Sequence, residues 1–214
     1  MIFSDQIFSS EHKPTNCSKN SDLYRMRSKE LKQLVNADQL ARKKTGEWTQ
    51  EEMWKIYNED LARRKRVGEI FGEGCFRTGK DYLAAALIYQ HGNTPDHYYQ
   101  AYIWAAKANE LGEKGAKRMI ALAVDRYLIN IGKKPLFGTQ YHRDFGSNRS
   151  KCFCLHQPET TFPDSVRKEY LGKSLYKEYS RIQLERFNNG KDCLLKECSE
   201  KLTPTPKGTI PGLW

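Results

Sequence analysis

The sequence predicts a mainly α fold: a single compact helical bundle built from antiparallel helix pairs, with one long irregular loop and extended termini. Three observations carry this reading. From Ser21 to Ile131 apolar residues recur at spacings of three and four, as one buried helical stripe requires. The recurrence is cut at Gly46, Gly72, Gly92 and Gly112, so the connections are short and successive helices must fold back on each other. Beyond Pro135 the helical period stops, and it resumes only after Pro163.

The elements follow in order. Residues 1–20, rich in Ser, Lys and Asn, read as a mobile arm or a strap on the core, without chemistry. Leu23, Met26, Leu31, Leu34, Val35 and Ala41 define a first helix with Ser21 as its N-cap. Thr49 and Glu52 form a capping box that opens a second helix through Met53, Trp54, Tyr57, Leu61, Val67 and Phe71. Gly79 to Gln90 is apolar nearly all round and belongs at the centre. Thr94-Pro95-Asp96 starts the next helix, because threonine caps and proline at the first position loses no needed amide bond. Glu113 to Ile131 follows, closed by Gly132. Residues 136–160 form an irregular, cysteine-containing insert inside a helical domain spanning 21–190. Loops of this length are functional or disordered. A last helix runs from Pro163 through Val166, Tyr170, Leu175, Tyr179, Ile182 and Phe187. The tail, 191–214, is rich in Pro and Gly after Leu202 and is expected there to be extended or disordered, with Trp214 as an anchor.

Composition narrows the function. A chain of 214 residues with 38% hydrophobic and 29% charged residues suffices for a self-supporting core, and the mean hydropathy of −0.78 leaves generous polar surface. The net charge of +10 is spread almost evenly along the chain, without a basic arm, so nucleic acid is not expected as a partner. The first residues lack a signal-peptide pattern and no run reaches membrane-spanning length, so a cytoplasmic protein is expected. In that compartment the six cysteines, which form no framework, are expected to be free thiols. Arg63-Arg64-Lys65-Arg66, the one dense basic run, reads as a solvated face.

Tyr99 to Ala123, YQAYIWAAKANELGEKGAKRMIALA, resembles a Sel1-type or tetratricopeptide helix pair, with small residues where two backbones cross. Asp38-Gln39, Gln90-His91, Asp125-Arg126, Gly138-Thr139-Gln140 and the helix from Pro163 occur in the order found in an uncharacterised bacterial family classed as a domain of unknown function, which Leu31 to Gln183 resembles. Pro135 and Phe137 depart from that pattern, as does the insert after His142. The resemblance implies positions rather than a reaction.

Those positions have defensible chemistry. His91 sits at a helix end, where an imidazole titrating near neutrality can serve as general acid or base or simply cap carbonyls. Asp125 and Arg126 point about 100° apart on their helix. Arg126 suits an anion clamp and Asp125 an orienting partner for His91, or both belong to structural ion pairs. Gln140 can hold a carbonyl or stay within its turn. With His91, Asp125, Arg126 and Gln140 as the catalytic set, Asp38, Gln39, Gln90, Thr139 and Tyr141 complete a substrate-binding set. Cys152, Cys154 and His156 alternate and could share a soft metal, but no CxxC knuckle is present, so no metal is expected. No cofactor signature occurs. The sequence therefore points to a general acid-base enzyme, a hydrolase, lyase or cyclase, acting on a small polar, anionic or peptide-like substrate. The alternative is a helical protein-interaction module without catalysis, anchored on Tyr98, Tyr99 and Tyr102.

Overall fold

The computed structural model describes residues 16–43, 48–143, 152–172 and 201–214, together with 181, 182, 185, 188 and 198. Within them lie six helices and one small hairpin: α1 (Ser21–Ala41), α2 (Gln50–Gly72), α3 (Gly79–Gln90), α4 (Pro95–Glu110), α5 (Ala116–Asn130), β1 (Tyr141–Arg143), β2 (Phe153–Leu155) and α6 (Asp164–Leu171). The mainly α class is as the periodicity requires. No helix among the described residues is long and apolar enough to cross a membrane.

Local signals set most boundaries. Thr49 and Glu52 form the reciprocal capping box at the start of α2, and Thr94 caps α4 ahead of Pro95. A second box, Thr78 with Asp81, opens α3. Asn20, one residue before the expected Ser21, caps α1 through the amides of Asp22 and Leu23. α5 begins three residues later than its periodicity suggests, because Gly112 and Gly115, at φ 73° and 85°, hold the intervening residues in a left-handed turn. α6 ends at Gly172, also left-handed; Leu175, Tyr179 and Phe187 fall outside the described residues.

α4 lies between α3 and α5 and packs closely on both. Alanines make this possible: Ala85, Ala86, Ala101, Ala105, Ala108, Ala121 and Ala123 are fully buried, so the helices approach without intervening bulk. Leu31, Val67, Ile70, Ile88, Trp104, Val124 and Leu128 fill the rest of the core.

The second helix differs from its expected face. Met53, Trp54, Tyr57, Leu61 and Phe71 are exposed, whereas Asp60, Arg63 and Arg64 are buried with Val67 and Ile70. The reading of Arg63 to Arg66 as a solvated face is thus corrected: Arg63 and Arg64 turn inward to carboxylates and a helix end, and Arg66 pairs with Glu30 of α1 at 2.5 Å.

The cysteine reading is corrected as well. Cys17 is bonded to Cys75 and Cys154 to Cys198, Cys152 is also disulfide-bonded, and no free cysteine occurs among the described residues. The first bridge fixes the end of the supposed arm. Residues 17–19 form a 3-10 turn, Cys17 is fully buried, and its amide donates to Glu73 O at 2.9 Å.

The C-terminal residues, expected to be extended, lie folded against the bundle. Thr203 forms a parallel bridge with Lys133, Ile210 is buried, and Tyr102 Oη donates to Pro211 O at 2.7 Å. Trp214 is the expected anchor: its Nε1 donates to Thr205 O and its ring meets Phe162 edge-on. The insert is less irregular than its sequence suggests, since β1 and β2 pair antiparallel with His142 opposite Cys154.

Candidate functional site

The carboxyl end of α3 is where the chain gathers its predicted residues. The last carbonyls of a helix lack intrahelical donors. Here the carbonyls of the last helical residue, of the capping His91 and of Gly92 just beyond it are satisfied by side chains from three other helices. Arg126 of α5 donates to Gln90 O at 2.5 Å, Arg64 of α2 to His91 O at 2.9 Å, and Tyr98 of α4 to Gly92 O at 2.7 Å. Gly92 is needed for space, because a Cβ there would stand 2.3 Å from that of His97.

The imidazole of His91, held this way, meets Asp38 of α1. Nδ1 lies 3.0 Å from Oδ1 and 2.9 Å from Oδ2 of that carboxylate. The carboxylate sets the tautomer: Nδ1 carries a proton, and in the neutral ring the lone pair lies on Nε2. Nε2 makes no hydrogen bond among the described residues, and the ring is 19% exposed. Asp38 is itself fully buried and receives Gln39 Nε2 at 2.9 Å and Arg42 Nη1 at 2.8 Å. Burial alone raises its pKa, but the hydrogen bond and charge of His91, with Gln39 and Arg42, outweigh that and hold the carboxyl below its ordinary value. Arg42 continues to Asp60 at 2.5 Å, and Asp60 binds Arg63 at 2.7 Å. The dyad therefore stands on a buried ionic network joining α1 and α2.

Asp125 does not orient His91. It is fully buried beneath residues 136–139, where Oδ1 accepts the amides of Leu136 and Phe137 at 2.8 and 2.9 Å. Oδ2 accepts the amide and hydroxyl of Thr139 at 2.7 and 2.9 Å. Burial pushes this carboxyl up to about 6 against those four bonds, so at neutral pH it is ionised and fully paired. Thr139 is thereby part of the turn's anchor, not a group facing a ligand.

Gln140, placed by that turn, serves Arg126: Oε1 accepts Nε at 2.9 Å, while Nε2 donates to Thr139 Oγ1 at 3.1 Å and Leu122 O at 3.4 Å. Its amide is engaged on both sides. Arg126, Gln140 and Tyr141 line a pocket of about 230 Å³ with Tyr98, Asn130, His142 and His156. His91 is not in its wall. Gln90 is 3% exposed, and its side-chain amide makes no hydrogen bond among the described residues. The sulfurs of Cys152 and Cys154 are in disulfides, so the thiolates that a metal would need beside His156 are not available. A larger groove between α1 and α3 has Asp81 in its wall, but that carboxylate is occupied by Tyr24, Ser28 and Thr78.

The structure thus divides the predicted set. Asp38, Gln39 and His91 form one group, and Arg126, Gln140 and Tyr141 another. The backbone of residues 90–92 joins them, and Asp125 with Thr139 supports the second from below. Sequence reasoning missed Arg42 and Asn130, read Arg64 as solvent-facing and offered Tyr98 only as an anchor for a protein partner. Only Arg42 left a local signal, four residues after Asp38 on the same helical face. No family model matches the chain, and no curated protein or solved structure matches it.

Proposed function

We propose that the protein is a general acid-base enzyme acting on a small polar, anionic or peptide-like substrate, with His91 Nε2 as the proton-transferring atom and Asp38 as its orienting partner. One observation carries the reading: a buried carboxylate fixes Nδ1 of a partly exposed imidazole while Nε2 has no partner among the described residues. A histidine serving only as a cap has no need of that arrangement, because its helix end is already closed by Arg64, Arg126 and Tyr98. The disulfides favour a non-reducing compartment over the cytoplasm expected from the leading residues.

The test compares the wild-type chain with His91→Gln on model esters, anilides and phosphodiesters, with circular dichroism to establish that the variant is folded. A positioned acid or base contributes on the order of 100-fold or more to rate. Turnover present in the wild type should fall by at least that factor in His91→Gln. A folded variant that retains full turnover would falsify the assignment.

The second reading, a Sel1/tetratricopeptide-like interaction module, is supported by a different observation: Met53, Trp54, Tyr57 and Leu61 stand exposed on α2. The anchors first suggested for it fit less well. Tyr98 is buried, and Tyr102 is engaged by the C-terminal residues. Under this reading Trp54→Ser with Leu61→Ser abolishes partner capture while His91→Gln leaves it intact.

A further inference from the structure

Two guanidiniums at the end of α3, those of Arg64 and Arg126, have no acidic partner among the described residues. Arg42 and Arg63 divide Asp38, Asp60 and Glu59 between them. Among the described residues Arg64 binds the carbonyl of His91, and Arg126 binds the carbonyl of Gln90 and Oε1 of Gln140. No carboxylate lies within ion-pair distance of either among the described residues. The helix end they share offers about half an elementary negative charge, against two full positive ones. A charge withdrawn from water is costly unless paired, so this end of α3 retains an unmet demand for an anion.

Arg64 is closed off, 4% exposed. Arg126 instead opens onto the pocket of about 230 Å³, whose wall among the described residues contains polar and aromatic side chains with Ile129 and no acidic residue. Its Nε and Nη1 have acceptors, and Nη2 has none among the described residues. Burial first, then the charge of Arg42, holds the guanidinium below its ordinary pKa, yet an arginine starts so far above neutrality that it stays charged. Its direction is fixed by a relay of hydrogen bonds. Asp125 holds the amides of the 136–139 turn, the turn sets Gln140, and Gln140 holds Nε. Such a volume is below that of drug-sized ligand sites and suits a compact charged group with the atoms attached to it.

We infer that this pocket is an anion subsite, receiving a carboxylate or phosphate group on Nη2 of Arg126, with Gln140 and Asp125 as positioning residues. It rests on the acid-base reading only for the identity of the molecule bearing the anion.

Inorganic phosphate and acetate, each titrated into the full chain at constant ionic strength, provide the test, followed through the Arg126 Nε–H and Tyr141 amide resonances. Saturable shifts are expected with at least one of them. Preference for phosphate marks a phosphate-bearing ligand, and the reverse a carboxylate. Arg126→Gln should abolish saturation. Asn130→Asp, at an exposed position on the pocket rim, should weaken apparent affinity about tenfold by repulsion, and this variant decides the matter if Arg126→Gln does not fold. Shifts that never saturate, or affinity unchanged in Asn130→Asp, overturn the subsite. His91→Gln should bind phosphate like the wild type, so loss of the acid-base assignment and loss of the anion subsite are separately visible.

Discussion

Replacing Asp125 by asparagine tests how the turn that positions Gln140 is held. The carboxylate accepts four hydrogen bonds, two on each oxygen. An asparagine carbonyl serves only one of those pairs, leaving the Thr139 amide opposite an NH₂ group. That mismatch costs about 1–3 kcal/mol at every pH. The pH-dependent part has a different origin. Asp125 moves from an ordinary 3.8 to about 6 on folding, so between those values the folded chain binds a proton that the unfolded chain has released. Its contribution to stability is complete below the lower value and is lost as pH rises through the upper one. The displacement corresponds to about 3 kcal/mol. Urea unfolding of both proteins from pH 4 to 7 reads it directly: the wild type should lose about that much stability relative to Asp125→Asn as pH rises. A wild type that gains on the variant over the same range refutes the reasoning, because the four hydrogen bonds would then outweigh burial.

Further outcomes follow from other features. The Cys17–Cys75 bridge spans 58 residues of sequence, for which loop closure predicts about 4 kcal/mol. Cys17→Ser with Cys75→Ser should therefore lower the urea midpoint by roughly 2 M, and a shift under about 0.5 M counts against the bridge as a main support. Gln90→Leu removes two buried polar atoms without partners and should raise stability by about 1–3 kcal/mol in the same assay; a loss would mean that the amide is satisfied in solution.

Much of the scaffold was legible because its punctuation is local. Thr94-Pro95 and the capping box at Thr49 act within one turn, and the starts of α2 and α4 fall where those signals put them. Long-range pairing was not legible. The inward turn of Arg63 and Arg64 depends on Asp60 beside them, and on Asp38 and the His91 carbonyl from other helices, none of which a hydrophobic period registers. The disulfides join residues 58 and 44 apart, without a spacing rule to betray them. The site was half visible: Asp38, His91 and Gln140 stand out as polar residues near element ends and Asp125 and Arg126 as charges within an otherwise apolar stretch of α5, but their partnerships depend on the packing angles of α1 and α5 against α3. Asp125 shows why. Its partners are backbone amides, which no side-chain pattern can announce.

The closure of α3 by Arg64, Tyr98 and Arg126 also has a consequence for motion. Three successive peptide planes, each tied to a different helix, cannot rotate independently, so the ring carried by the middle one starts every encounter in the same pose. Little reorganisation then remains to be done when a proton moves. The same ties make α2, α4 and α5 levers on His91: a displacement of any of them shifts a carbonyl next to the imidazole, so the site registers strain imposed far from it.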